Sequence, residues 1–223
     1  FYIIFSSQIN DSMIHNLPII QYFKGIIDKK DEYIKQDINK AIHYLTYAAN
    51  QNYSNQQFTL GFIFYEGKYI ERDINQSIKY FTLAANQNHV HAQYILGVIY
   101  YDCKYIKLAL KYFTLAANQN HREAQFNLGL IYESGKYVKL DIKKAIYFYQ
   151  LAANQNYKEA QYNLGKIYES GKYVYKDINK SIHYFTLAAN QNFPEAQFNL
   201  GIIYESGKYL AQDIKKSIHY YTL

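Results

Sequence analysis

The pentapeptide AANQN begins at residues 48, 84, 116, 152 and 188, so its copies lie 36, 32, 36 and 36 residues apart. No other feature constrains the fold as strongly. A 36-residue unit is too small to bury a core of its own and must stack on further copies of itself. A second register agrees with the first. Glycines at 25, 61, 97, 129, 165 and 201, and the tyrosines of KY dipeptides at 33, 69, 105, 137, 173 and 209, also recur once per unit. Six units follow, at about 16–53, 54–89, 90–121 (shortened), 122–157, 158–193 and 194–223 (truncated). Residues 1–15 are read as an N-terminal extension or the end of a preceding region.

The unit at 158–193 shows what each copy builds. Ala160, Leu164, Gly165, Ile167 and Tyr168 fall on one face of a helix. Gly171 stops that helix, since glycine takes the left-handed conformation without a Cβ penalty. Asp177 is a suitable N-cap for a second helix, its carboxylate accepting a backbone N–H at the exposed end. Ser181, Ile182, Tyr184, Phe185, Ala188 and Ala189 form the second apolar face, and Asn190 and Asn192 supply the turn into the next unit. The predicted fold is all-α, a right-handed α-solenoid of about six helix-turn-helix repeats.

The pattern A-x-x-x-L-G-x-x-Y-x-x-G-x-x-V-x-x-D-x-x-x-[AS]-x-x-Y-[FY]-x-L-A-A resembles the Sel-1-like repeat, a relative of the tetratricopeptide repeat. Ala124, Leu128, Gly129, Tyr132, Gly135, Val138, Asp141, Ala145, Ala152 and Ala153 carry it in one unit; Ala196, Leu200, Gly201, Tyr204, Gly207 and Asp213 carry it in another. The family's second glycine is replaced by the KY tyrosine, its helix-B tryptophan by Tyr or Phe, and its glycine after helix B by Asn. The first unit is degenerate, keeping Gly25 and Tyr33 but carrying Asp31 in place of the stop glycine. The resemblance implies a non-catalytic adaptor with protein or peptide partners. Such repeats also occur as substrate-recruiting arms of larger enzymes such as protein kinases, which is the alternative reading. A basic RNA-binding solenoid ranks last.

Composition narrows the rest. With 49% hydrophobic residues the chain can form a substantial core. A net charge of +6 falls short of a dedicated nucleic-acid binder, so nucleic acid is not an expected partner. Cys103, the only cysteine, excludes an internal disulfide. No apolar run approaches the roughly 20 residues that span a bilayer. The chain lacks an initiator Met and stops at YYTL, where other units continue into AAN; it reads as a piece of a longer protein. A monomer is expected, with end-to-end association at the truncated last repeat as an alternative. A cytoplasmic setting is favoured, while N-x-S/T sequons at Asn10, Asn52, Asn75 and Asn179 keep the ER lumen open.

No enzyme, cofactor or metal site is expected. His89, His91 and His121 read as surface residues starting helices, because no carboxylate or cysteine pairing reinforces a ligand set. Glu133, Glu169 and Glu205 recur 36 residues apart and form a solvated ladder rather than an acid–base pair. Lys143–Lys144 and Lys215–Lys216 lie in the first turn of helix B and read as solvated surface.

Tetratricopeptide relatives bind ligands along a concave face lined by helix A. Transferred to this chain, the exposed slots are Phe58, Tyr94, Phe126, Tyr162 and Phe198, with Phe62, Val98, Leu130, Lys166 and Ile202 four residues later on the same stripe. The second slot varies most between copies, so it is the better candidate for contact with an extended or helical peptide. Asn127, Asn163 and Asn199 occupy the position at which some relatives hold a carboxylate. The short interval between the second and third AANQN is expected to trim the first turn of that unit's helix B, with loss of its Asp cap. Cys103 in the stop slot adds strain.

Overall fold

Fifteen-residue stretches such as EAQYNLGKIYESGKY contain no β-alternation, and the structure turns each into a helix and a stop. The structure, a computed structural model, describes residues 32–68, 70–207 and 209–222, with side chains from Lys40 onward. The extension 1–15, the start of the first unit, Gly25, Asp31 and the Asn10 sequon lie outside the described residues.

Among the described residues eleven helices follow one another: α1 Glu32–Asn50, α2 Ser54–Glu66, α3 Ile74–Asn86, α4 Val90–Asp102, α5 Ile106–Asn118, α6 Arg122–Ser134, α7 Ile142–Ala153, α8 Lys158–Ser170, α9 Ile178–Ala189, α10 Pro194–Ser206 and α11 Ile214–Thr222. The chain divides into two compact units, Phe1–Gln119 and Asn120–Leu223. Within each unit every helix packs on its predecessor and its successor. The degenerate first repeat departs from its siblings, since α1 runs on through Asp37, the position that caps helix B elsewhere.

The local chemistry of each turn is visible. Gly67, Gly135, Gly171 and Gly207 all sit at φ between 59° and 67°. In the seam, the second Asn of each NQN takes the left-handed conformation (Asn52, Asn88, Asn120, Asn156, Asn192), while Asn190 stays right-handed at φ −64°. His89 N–H then donates to Ala84 O at 3.1 Å and Tyr157 N–H to Ala152 O at 3.1 Å, the six-to-one bond that closes a helix C-terminus. Asp73, Asp141, Asp177 and Asp213 each accept from a backbone N–H three residues on, at 3.0 Å.

The two helices of a pair lock through one contact. A Cβ at Gly165 would lie 2.5 Å from the Phe185 ring, and Gly61, Gly97 and Gly129 face Phe81, Phe113 and Tyr149 within 2.8 Å in the same way. Phe185, Phe81, Phe113 and Tyr149 are fully buried. Burying each such ring contributes on the order of 2–3 kcal/mol. Below that lock a second ring pair stacks nearly parallel: Tyr132 on Phe148, Tyr168 on Tyr184 and Tyr204 on Tyr220, with interplanar angles of 3°, 4° and 5°.

The short third repeat differs from the sequence expectation. Helix α5 keeps 13 residues, the length of α3. The four missing residues come from the turn, which is 103–105 here and 135–141 in the next repeat. Tyr105 N–H donates to Tyr100 O at 2.8 Å, just as Asp141 N–H donates to Tyr132 O at 3.0 Å, so the same closing bond is made across a shorter loop. Tyr105 stands where Asp141 does and makes no side-chain cap, in line with the expected loss. Cys103 is not strained: its φ is −75°, and Lys104 takes the left-handed position at 64°.

Candidate interaction surface

Helix-A residues were expected to line an exposed stripe, and the structure divides them. Phe58, Phe62, Tyr94, Val98 and Phe126 are buried, each at most 4% exposed. Leu130 and Tyr162 are half-buried, and Lys166, Phe198 and Ile202 are exposed. The correction has a simple cause. The first-slot ring packs on the helix-B ring of its own pair and on the residue that opens the next pair. Phe126 lies 5.7 Å from Tyr149 and 5.1 Å from Tyr157; Tyr162 lies 5.7 Å from Phe185 and 5.1 Å from Phe193. These rings are inter-repeat core. Phe198 keeps its Tyr221 contact at 5.8 Å but belongs to the last described pair, and it stays 58% exposed. In the unit ending at Gln119, helices α2 and α4 are buried on every side over Gln57–Ile63 and Ala92–Ile99, as expected of helices apolar all round.

What remains accessible on helix A therefore lies in the unit Asn120–Leu223: Leu130, Tyr162, Lys166, Phe198 and Ile202. The Lys166 ammonium lies 5.7 Å from the Tyr162 ring centre. The glutamate ladder beside it is not merely solvated. The Tyr149 hydroxyl donates to Glu133 Oε2 at 2.5 Å, and Tyr221 to Glu205 at 2.8 Å. Burial, followed by the adjacent Glu133 charge, raises the Tyr149 pKa well above its ordinary value. Asn127 is buried with neither amide atom paired, so it is not placed to clasp a ligand carboxylate, while Asn163 is half-buried.

The histidines also require correction. His121 is buried, and His89 and His91 are half-buried. His89 Nδ1 accepts from Ala92 N–H at 3.2 Å and His121 Nδ1 from Ala124 N–H at 3.3 Å, so both serve as neutral N-caps. His121 Nδ1 also lies 3.3 Å from Glu123, an ion pair that protonation would form at the expense of the cap. Among the described residues no cluster of His, Cys, Asp and Glu could hold a metal ion. Among them also, no helix is long and apolar enough to cross a membrane.

One network has no counterpart in the sequence expectations. Buried Gln57, Gln93, Gln161 and Gln197 on the A helices donate to Ala49, Ala85, Ala153 and Ala189 carbonyls of the preceding seam at 2.9–3.3 Å. Their side-chain oxygens accept from the middle Gln of the following NQN: Gln87 to Gln57, Gln119 to Gln93 and Gln191 to Gln161, at 2.7–2.8 Å. Gln155 donates to Gln125 in the same way. The recurrence of both glutamines in register was the available signal. On the other side of the pairs, a cleft of about 580 Å³ is lined by Gln150, Tyr168, Asp177, Asn179, Lys180, His183 and Tyr184.

Comparison with known proteins gives the family. The Sel1 repeat model matches residues 22–53, 57–89, 90–103, 104–121, 122–157, 158–193 and 194–223, dividing the third repeat at its shortened turn. No curated protein matches the sequence. The fold is similar to that of c5321, a protective antigen of uropathogenic Escherichia coli displaying an SLR fold, with TM-score 0.77 and 26% identity over 81% of this chain. This chain spans 40% of that antigen's length. It is also similar to a Sel1 repeat protein from Oxalobacter formigenes, with TM-score 0.72 and 27% identity over 94% of this chain and 88% of the other. Both neighbours place the helix pairs in an all-α solenoid.

Proposed function

The chain belongs to the Sel1 repeat family, whose members generally act as protein-interaction scaffolds, and we propose that it is a non-catalytic scaffold that holds a peptide segment along the helix-A face of its second unit. The observation that carries this is the row Leu130, Lys166 and Ile202. These three side chains hold one register position, remain accessible, and differ in every repeat, while the residues around them are nearly identical. Framework positions resist variation between copies because the packing fixes them; a position that varies while accessible is free to serve a ligand.

The row is apolar, cationic and apolar in order. It suits a peptide with an acidic residue between two apolar ones. Panning a random peptide library on the protein tests this. Enriched peptides should show that pattern and should lose binding to Leu130→Glu and Ile202→Glu, with circular dichroism unchanged. Peptides that bind wild type and both variants equally would place the site elsewhere. Phe126 is unsuitable for this test, because its replacement would open the core.

A further inference from the structure

The modest overall charge conceals a separation. In the unit Asn120–Leu223, the stretches 135–144, 171–180 and 207–216 each run from a stop glycine into the first turn of the next helix. Together they hold ten lysines and three aspartates. The unit's other acidic residues, six glutamates, all lie on α6, α8 and α10. Every lysine of these stretches whose side chain is described is exposed. The aspartates are occupied as caps, and each holds one lysine: Lys144, Lys180 and Lys216 lie 3.8, 3.4 and 3.6 Å from Asp141, Asp177 and Asp213. Lys136, Lys139, Lys143, Lys172, Lys176 and Lys215 form no ion pair among the described residues. In the other unit the turn 67–76 is balanced, with Lys68 and Arg72 against Glu71 and Asp73, and the shortened turn 103–108 carries only Lys104 and Lys107.

Aromatic rings stand among these lysines. Tyr175 is 98% exposed and makes no ring contact among the described residues, and Tyr173 is 48% exposed. The cleft opens at the same edge, since Asp177 and Lys180 belong to both. Its wall is the parallel Tyr168–Tyr184 pair, and Gln150, Asn179 and His183 bring amide and imidazole groups to it. Lysines would meet any polyanion. The Lys172 ammonium lies 4.8 Å from the Tyr173 ring centre and Lys180 lies 5.1 Å from that of Tyr168, so the most open ring is Tyr175. Its faces and the amide donors of the cleft add nothing for an acidic peptide, and a membrane surface would leave the cleft empty. A duplex keeps its bases stacked and away from the tyrosines.

We infer that the helix-A to helix-B turns of the second unit bind a single-stranded nucleic acid. Its phosphates lie along the turn lysines, and its bases stack on Tyr173 and Tyr175 and enter the Tyr168–Tyr184 cleft. Fluorescence anisotropy with a labelled oligouridylate of about 15 nucleotides tests this, alongside a duplex, a polyglutamate peptide and phosphatidylserine vesicles as competitors. Oligouridylate should bind, with log affinity falling linearly with log salt concentration. Lys172→Gln and Lys176→Gln should each make that slope shallower by about 0.7. Tyr173→Ala with Tyr175→Ala should weaken binding at least about fivefold at an unchanged slope. Lys107→Gln, in the other unit, should change nothing. Leu130→Glu should leave oligonucleotide binding intact, which separates this site from the peptide face. Failure to bind at low salt overturns the inference. So does competition by polyglutamate, duplex or vesicles as strong as by unlabelled oligouridylate, or indifference to loss of the two tyrosines.

Discussion

Replacing Gly165 by alanine sets helix propensity against packing. In an isolated helix the change is favourable by about 1 kcal/mol. Here the added methyl would lie 2.5, 2.6 and 3.0 Å from three carbons of the Phe185 ring, well inside the 3.5–4.0 Å at which carbons rest. The ring would have to move by about 1 Å, and it has no free side: Phe185 is fully buried, with Tyr162 5.7 Å away. Overpacking of this kind costs about 1–3 kcal/mol, so the packing term prevails and Gly165→Ala is expected to be destabilising. In a Phe185→Ala background the ring is gone, and the same methyl should then stabilise by about 1 kcal/mol. Urea unfolding followed at 222 nm on wild type, the two single variants and the double variant reads the cycle. If Phe185→Ala leaves too little folded protein, an excluded osmolyte added equally to all four restores the comparison. A Gly165→Ala protein as stable as wild type, or one that loses the same amount in both backgrounds, would refute the reasoning.

Three further outcomes follow from individual residues. Ser181 is fully buried with an unpartnered hydroxyl, in a slot that holds fully buried Ala109 and Ala145 elsewhere. Ser181→Ala should therefore raise stability by about 1 kcal/mol, seen as a higher urea midpoint at constant m-value. Lys104 holds a left-handed φ of 64°, and Lys104→Gly should stabilise by about 1 kcal/mol, again read from the urea midpoint. His89 has its pKa lowered from 6.5 to about 4, chiefly by burial and then by neighbouring His91. Its neutral form is the one the fold holds, so its contribution is complete above about pH 6.5 and is lost as pH falls towards 4. His89→Asn retains an N-cap acceptor without titrating, and the stability gap between the two proteins should close or reverse over that window.

What the sequence revealed was local chemistry. A glycine before KY stops a helix and an aspartate before Ile caps one, and both effects are decided within a few residues, as Gly171 and Asp177 show. Burial was not legible in the same way. Phe126 and Phe198 are the same residue in the same slot, yet one is 3% and the other 58% exposed, because Tyr157 of the next pair covers the first. The short repeat was misplaced for a related reason. Aligning Tyr105 with the other KY tyrosines puts the deletion in helix α5, where it would remove residues packed as tightly as Ala109 and Phe113, both fully buried. Shortening a turn costs only a small change in loop entropy, and the chain took that course. Likewise, Glu133 alone looks like a surface residue; its partner Tyr149 is 16 positions away.

The glutamine ladder has a consequence for how such a chain can change over generations. Each repeat carries both halves of the joint: a helix-A Gln that accepts, as Gln161 does, and a seam Gln that donates, as Gln191 does. A recombination event that gains or loses one whole unit therefore leaves every rung with a partner, whichever copies are brought together. Copy number becomes a heritable variable that can drift without redesigning any interface. A loss of any other length would leave a donor facing the wrong residue, unless it fell, as the four-residue loss did, in a turn the ladder never crosses.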